Sequence, residues 1–134
     1  MRKVLIVEDS LDLAEVIAAT LERIDFHTIL VTHVSHALTQ YYQERPDLIL
    51  LDIGLPDRSG WKLLDEIRLM EPENQPIVVV ITAHGDPANR LMGKLQGVHS
   101  YLVKPFTADE IRQVVLRAIG GQRPQVAHDV GNAE

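Results

Sequence analysis

The run Asp47-Leu48-Ile49-Leu50-Leu51-Asp52-Ile53-Gly54-Leu55-Pro56-Asp57-Arg58-Ser59-Gly60 decides how the chain folds. Leu48 to Leu51 are uninterruptedly apolar, then break into a carboxylate and a loop of glycine, proline, aspartate and serine. Such runs suit strands buried on both faces, the condition of a parallel sheet covered by helices. Asp52 then stands where the strand leaves the core, at its C-terminal end. Ligands of open α/β sheets bind outside that edge. An aspartate more commonly just opens a surface turn, so the weight of Asp52 depends on what the other strands present beside it.

Upstream, Val4-Leu5-Ile6-Val7 reads as a buried strand. Ser10 reads as the N-cap of a helix whose Leu11, Ala14, Ile17, Ala18, Leu21 and Ile24 share one face. His27 to Val31 is a partly polar strand, placed at an edge, and Ser35 to Glu44 a short helix with Ala37, Leu38 and Tyr41 inward, stopped before Pro46. Downstream, a helix from about Gly60 to Met70 carries Leu63, Leu64, Ile67 and Met70, with Trp61 as a packing residue at its start; Pro72 and Pro76 bracket the following loop. Ile77-Val78-Val79-Val80-Ile81 is the most β-branched run in the chain and a strand. Asp86-Pro87 supplies an N-cap and a first-turn proline for a helix carrying Leu91, Met92 and Leu95 and ended by Gly97. Tyr101-Leu102-Val103 is the fifth strand. Thr107 to Glu110 forms a capping box opening a helix with Ile111, Val114, Val115, Ala118 and Ile119 on one face, stopped by Gly120-Gly121.

A strand-helix unit repeated five times calls for a three-layer α/β sandwich on a parallel five-stranded sheet. The flavodoxin-like order 2-1-3-4-5 is the default, with its switch point between strands 1 and 3. Residues 1–121 make this one domain; residues 122–134, polar and containing Pro124, read as a flexible tail or linker. The net charge of −6 opposes direct nucleic-acid binding. Without cysteine, disulfides, thiolate metal sites and cysteine nucleophiles are excluded. Met1-Arg2-Lys3 precedes an apolar run too short for a signal peptide, and no segment is long enough for membrane insertion, so a cytoplasmic location is expected.

On this scaffold, strand 1 ends in Glu8-Asp9 and strand 3 in Asp52, so three carboxylates meet at the switch point. They repel unless a cation joins them, and hard oxygen ligands with waters retained suit Mg²⁺. Strand 4 ends in Thr82 and strand 5 in Lys104-Pro105. A lysine and a hydroxyl facing the carboxylates would hold phosphoryl oxygens. The implied chemistry is a carboxylate accepting a phosphoryl group, with metal and lysine neutralising charge. The histidines other than His84 show no metal-site spacing.

From residue 3 to about 120 the chain resembles the receiver domain of two-component response regulators, in a chemotaxis-regulator-like form. The resemblance rests on Glu8-Asp9, Asp52 with Pro56 and Gly60, Thr82-Ala83, Tyr101, and Lys104-Pro105-Phe106, in that order along the chain. It implies that Asp52 is the phosphoacceptor, fed by a sensor histidine kinase or a phosphotransfer protein. It implies Mg²⁺ held by Asp9, Asp52 and the Gly54 carbonyl, with Glu8 acting through water. Lys104 would pair with the phosphoryl group and precede a cis bond to Pro105. Thr82 and Tyr101 would form a switch, Tyr101 turning inward and altering the face made by helix 4, strand 5 and helix 5 for a downstream protein partner. No turnover of an external substrate is expected.

Rival readings fit less well. A haloacid-dehalogenase phosphatase needs a second aspartate two residues past the nucleophile, where this chain has Gly54; a flavin carrier needs a phosphate loop where Glu8-Asp9 would repel it. The remaining alternative is a degenerate receiver acting as a phosphorylation-independent docking module. His99 and Ser100 replace the paired aspartates that dimerising relatives carry there, so a monomer or weak dimer is expected. A single-domain receiver is mildly preferred over an excised one. His84, two residues past Thr82, reads as a solvated loop histidine; by the resemblance it would flank the approach of the water that hydrolyses an aspartyl phosphate.

Overall fold

The structure is a computed structural model and describes residues 2–54, 60–70, 73, 75–83 and 87–121. The readings at Pro56, Pro72, His84 and Asp86, and of the tail from 122 onward, lie outside these residues. Ten elements alternate: β1 (Lys3–Val7), α1 (Leu11–Glu22), β2 (His27–Val31), α2 (Val34–Glu44), β3 (Leu48–Asp52), α3 (Gly60–Met70), β4 (Ile77–Thr82), α4 (Pro87–Gln96), β5 (Ser100–Val103) and α5 (Ala108–Ile119). The strands pair in parallel in the order β2-β1-β3-β4-β5, so the sheet has the expected flavodoxin-like topology with polar β2 at an edge.

Successive side chains of a strand point to opposite faces, and the apolar runs therefore feed two cores. Val4, Ile6, Leu48, Leu50, Val79 and Ile81 pack on one face with α1 and α5. Leu5, Val7, Ile49, Leu51, Val78 and Val80 pack on the other with α2 and α3. Every residue of β3 is buried, Asp52 included. Local signals close the ends as the sequence dictates. Ser10 Oγ accepts from the Leu13 N–H at 3.3 Å. Thr107 and Glu110 cap each other's backbone at 3.1 and 2.8 Å.

The helix faces hold the exceptions. Leu11 and Met70 point outward, and α4 turns out Leu91, Met92 and Leu95, the last 73% exposed. Among its described residues α4 buries Gly93 instead. A Cβ built there would overlap the Tyr101 hydroxyl and ring, so the helix approaches β5 through a notch that only glycine leaves open. The far end of α4 is held from α3. The Arg68 guanidinium donates to Gln96 O at 3.0 Å and to Gly97 O at 3.4 Å, a cation on the carbonyl end of a helix. Arg68 also donates to Gln75 Oε1 at 2.6 Å.

Candidate functional site

The sheet delivers its polar residues to one edge because each strand runs out of apolar sequence there. Glu8 follows β1, its N–H donating to Val31 O at 3.0 Å. Asp52 and Thr82 are the last residues of β3 and β4, 4% and 3% exposed. Lys104 follows β5, its N–H donating to Thr82 O at 2.8 Å, and the Lys104–Pro105 bond is cis. Gly60 lets α3 start close behind this edge: a Cβ there would stand 2.9 Å from Asp52 O.

Lys104 Nζ lies 3.0 Å from Asp52 Oδ2 and 3.1 Å from Glu8 Oε1. Asp52 Oδ1 accepts from the Gly54 N–H at 2.8 Å. Glu8 Oε2 accepts from the Ser10 N–H at 3.1 Å. The structure thus brings together Glu8, Asp9, Asp52, Gly54, Thr82 and Lys104. Tyr101 sits behind them, 8% exposed, its hydroxyl donating to Asn89 O and Arg90 O at 3.0 and 3.1 Å.

Burial sets the charges. Glu8 is wholly shielded from solvent, and loss of hydration lifts its pKa from 4.5 to about 7; contact with Asp9 and the charge of Asp52 add to this, against the Ser10 N–H and Lys104. For Lys104, burial works against the charge, but the hydrogen bond and charge of Asp52, then those of Glu8, outweigh it and raise the pKa. A carboxyl raised on folding stabilises the fold fully below its unfolded pKa and loses that contribution as pH rises through its folded one. In chelator-treated protein, stability should therefore fall between pH 5 and 8 by about 2 kcal/mol more in the parent chain than in Glu8→Gln. Thermal melts across that range measure it; a constant gap between the two proteins would mean that Glu8 ionises freely.

The acidic group meets the demands of a hard divalent cation. Glu8, Asp9 and Asp52 each bring one oxygen within 4.8 Å of the others. Glu8 Oε1, fully buried, accepts no hydrogen bond among the described residues, although Lys104 is near. Oxygen donors of like charge with an orphaned lone pair suit a cation that keeps part of its water shell.

A cavity of about 460 Å³ opens beside Asp52, lined by Asp9, Asp52, Ile53, Gly54, Trp61, Thr82, Ala83, Asn89 and Lys104. Two of these give no warning in the sequence. Trp61 packs on the α2–α3 core as expected, but its indole also donates to Asn89 Oδ1 at 3.2 Å. Asn89 is a polar residue on a mostly polar helix, with no periodicity or motif to single it out.

A family model for the response regulator receiver domain matches residues 4–116. Over 117 residues the chain is 32% identical to a curated protein of Guillardia theta named "Probable transcriptional regulator ycf27", covering 87% of this chain and 44% of that protein. The chain thus spans less than half the length of that relative. Among solved structures, chemotaxis protein CheY4 of Vibrio cholerae aligns with a TM-score of 0.83 at 24% identity over 88% of this chain and 98% of that one, a likeness of fold. NtrX from Brucella abortus, solved in complex with ADP, aligns with a TM-score of 0.80 at 31% identity over 90% of this chain and 28% of that one.

Proposed function

The chain belongs to the response regulator receiver domain family, and from that premise we propose that Asp52 accepts a phosphoryl group from a sensor histidine kinase or phosphotransfer protein. The observation that carries this reading is the Asp52–Lys104 pair at 3.0 Å inside an acidic triad at the C-terminal sheet edge. An Asp52 carboxylate oxygen forms the new P–O bond while the donor's P–N bond breaks, and the departing imidazole takes up a proton from solvent. The Gly54 N–H fixes one carboxylate oxygen and Lys104 meets the other, so the nucleophile is oriented before the donor arrives. Lys104, with its pKa raised, remains charged to meet the phosphoryl oxygens. Asp9, Asp52 and the Gly54 carbonyl would hold Mg²⁺, with Glu8 acting through water, and the ion would supply further charge neutralisation.

Thr82, at the cavity wall, would hydrogen-bond the transferred group, and Tyr101 of β5, bonded to α4, would carry that change to the α4–β5–α5 face, where a downstream partner would bind. The chain does not turn over an external substrate in this reading: the position of a second general acid is Gly54. A module used only for docking would have no need of the Asp52–Lys104 pair.

Metal linkage tests the reading. Binding to the folded state alone stabilises it by about 2.7 kcal/mol at a free Mg²⁺ concentration one hundred times the dissociation constant. Mg²⁺ should raise the melting temperature of the parent chain, and Asp9→Asn should lose most of that gain. An unchanged Mg²⁺ response in Asp9→Asn would put the metal elsewhere.

A further inference from the structure

Among the described residues, α1, α2, α3 and α5 each send several side chains into a core, and α4 sends none. Leu91, Met92 and Leu95 face solvent, and Gly93 meets Tyr101 with no side chain of its own. Polar bonds hold α4 to the domain instead. In its first turn, Asn89 Oδ1 accepts from the Trp61 indole, and Asn89 O and Arg90 O accept from the Tyr101 hydroxyl. At the other end the Arg68 guanidinium donates from Nε to Gln96 O at 3.0 Å and from Nη2 to Gly97 O at 3.4 Å. Beside it, Gln96 Nε2 donates to Asp65 Oδ1 at 3.4 Å.

The same guanidinium reaches Gln75 Oε1 and Pro76 O through Nη1, and Gln75 Nε2 returns a bond to Arg68 O. One side chain of α3 thus fastens the end of α4 to the connection that leads into β4. Its acceptors are neutral, three carbonyls and a carboxamide, so Arg68 works through the fixed fork of its donors rather than through an ion pair.

Elements with few buried apolar contacts open below the free energy of global unfolding. An isolated helix of ten residues is marginal in water, and Gly93 in its interior weakens it further. We infer that α4 is a detachable element latched by Arg68: it leaves the domain and loses its helix while the sheet and the other helices stay folded, and the guanidinium fork sets how often this happens. Gly97, with a φ of +69° and open space where a Cβ would stand, lets the chain turn at the latch. Leu91, Met92 and Leu95 keep a fixed relation to one another only while α4 is docked, so Arg68 governs how much of the time that exposed surface exists. None of this depends on phosphoryl acceptance by Asp52.

The test is amide hydrogen exchange of the full chain in a series of low urea concentrations, read by mass spectrometry with fragmentation and corrected for intrinsic rates. In the parent chain the amides of Leu91 to Gln96 should exchange at least about tenfold faster than those of β1 and β3. They should share one opening with a weaker urea dependence, because releasing α4 exposes less surface than unfolding the domain. Arg68→Ala should speed exchange in α4 about tenfold or more, the loss of hydrogen bonds from a charged group. Arg68→Lys keeps a cation at the carbonyl end of α4 but loses the fork, and should speed it about fivefold.

Parent α4 amides with the exchange rate and urea dependence of β1 and β3 would overturn the inference, since α4 would then open only with the whole domain. That arm needs no variant, so it decides the matter even if Arg68→Ala fails to fold. An Arg68→Lys variant that exchanges like the parent would also overturn it, because a charge at the helix end would then suffice. So would a folded Arg68→Ala variant with α4 exchange unchanged.

Discussion

Asp52→Asn will take up no phosphoryl group from acetyl phosphate or from a phosphorylated histidine kinase, under Mg²⁺ conditions in which the parent chain gains one. The substitution keeps size and shape, and the side-chain oxygen can still accept from the Gly54 N–H, so the fold should persist. What disappears is the nucleophile, since a carboxamide oxygen does not form a stable phosphoryl ester. The expected loss is on the order of a thousandfold or more in rate, the size seen when a covalent nucleophile is removed. Asp9 is the nearest rival acceptor: it is exposed and lines the same cavity. Peptide mapping of the labelled protein separates the two. Label found on Asp9, or equal uptake by Asp52→Asn, would remove Asp52 as the acceptor.

Gly93→Ala will destabilise the parent chain and stabilise a Tyr101→Ala variant. Two effects oppose each other. Alanine in place of a helical glycine is worth about 0.5–1 kcal/mol in favour of the helix, and Gly93 has no left-handed backbone to forbid it. Against this, the new methyl group occupies the space of the Tyr101 hydroxyl and ring, and overpacking of this kind costs about 1–3 kcal/mol. The ring is buried on β5, so it cannot swing aside without leaving its two carbonyl acceptors on α4. With Tyr101 cut back to alanine the main obstacle is gone; Val98 Cγ2, 3.1 Å from the new methyl group, has only to give by a fraction of an ångström into the space the ring vacates, so most of the helix term remains. Urea unfolding of the four proteins in the cycle measures the coupling. A Gly93→Ala effect of the same sign in both backgrounds would mean that the notch is not a seat for Tyr101.

The strands were legible because burial on both faces leaves a plain mark: Leu48 to Leu51 and Ile77 to Ile81 contain no polar residue, and each run ends where the sheet does. The candidate site was legible for the same reason. Glu8, Asp52, Thr82 and Lys104 are the first polar residues after apolar runs, and a parallel sheet carries all such ends to one edge. The helices were harder to read. Leu91, Met92 and Leu95 have the spacing of an inward face, yet they lie outside, because α4 meets β5 through Gly93 and a tyrosine reaching up from the strand. An absent side chain makes no apolar period. Trp61 and Asn89 were missed as a pair for a related reason: a hydrogen bond between two helices, 28 residues apart in the chain, has no spacing to reveal it.

The grip of Arg68 on the carbonyl end of α4 has a mechanical consequence. The guanidinium clamps Gln96 and Gly97, while the opposite end of the helix is tied through Asn89 to the wall of the cavity. At 1.5 Å per residue these points are about 10 Å apart. A rod pinned at one end and pushed at the other cannot slide; it tilts about its fulcrum. Displacement then grows with distance from Arg68, so Leu91 sweeps a wider arc than Leu95 for any push delivered at Asn89. A surface worked by such a lever changes its slope rather than its composition: the same leucines stay exposed, presented at a different angle.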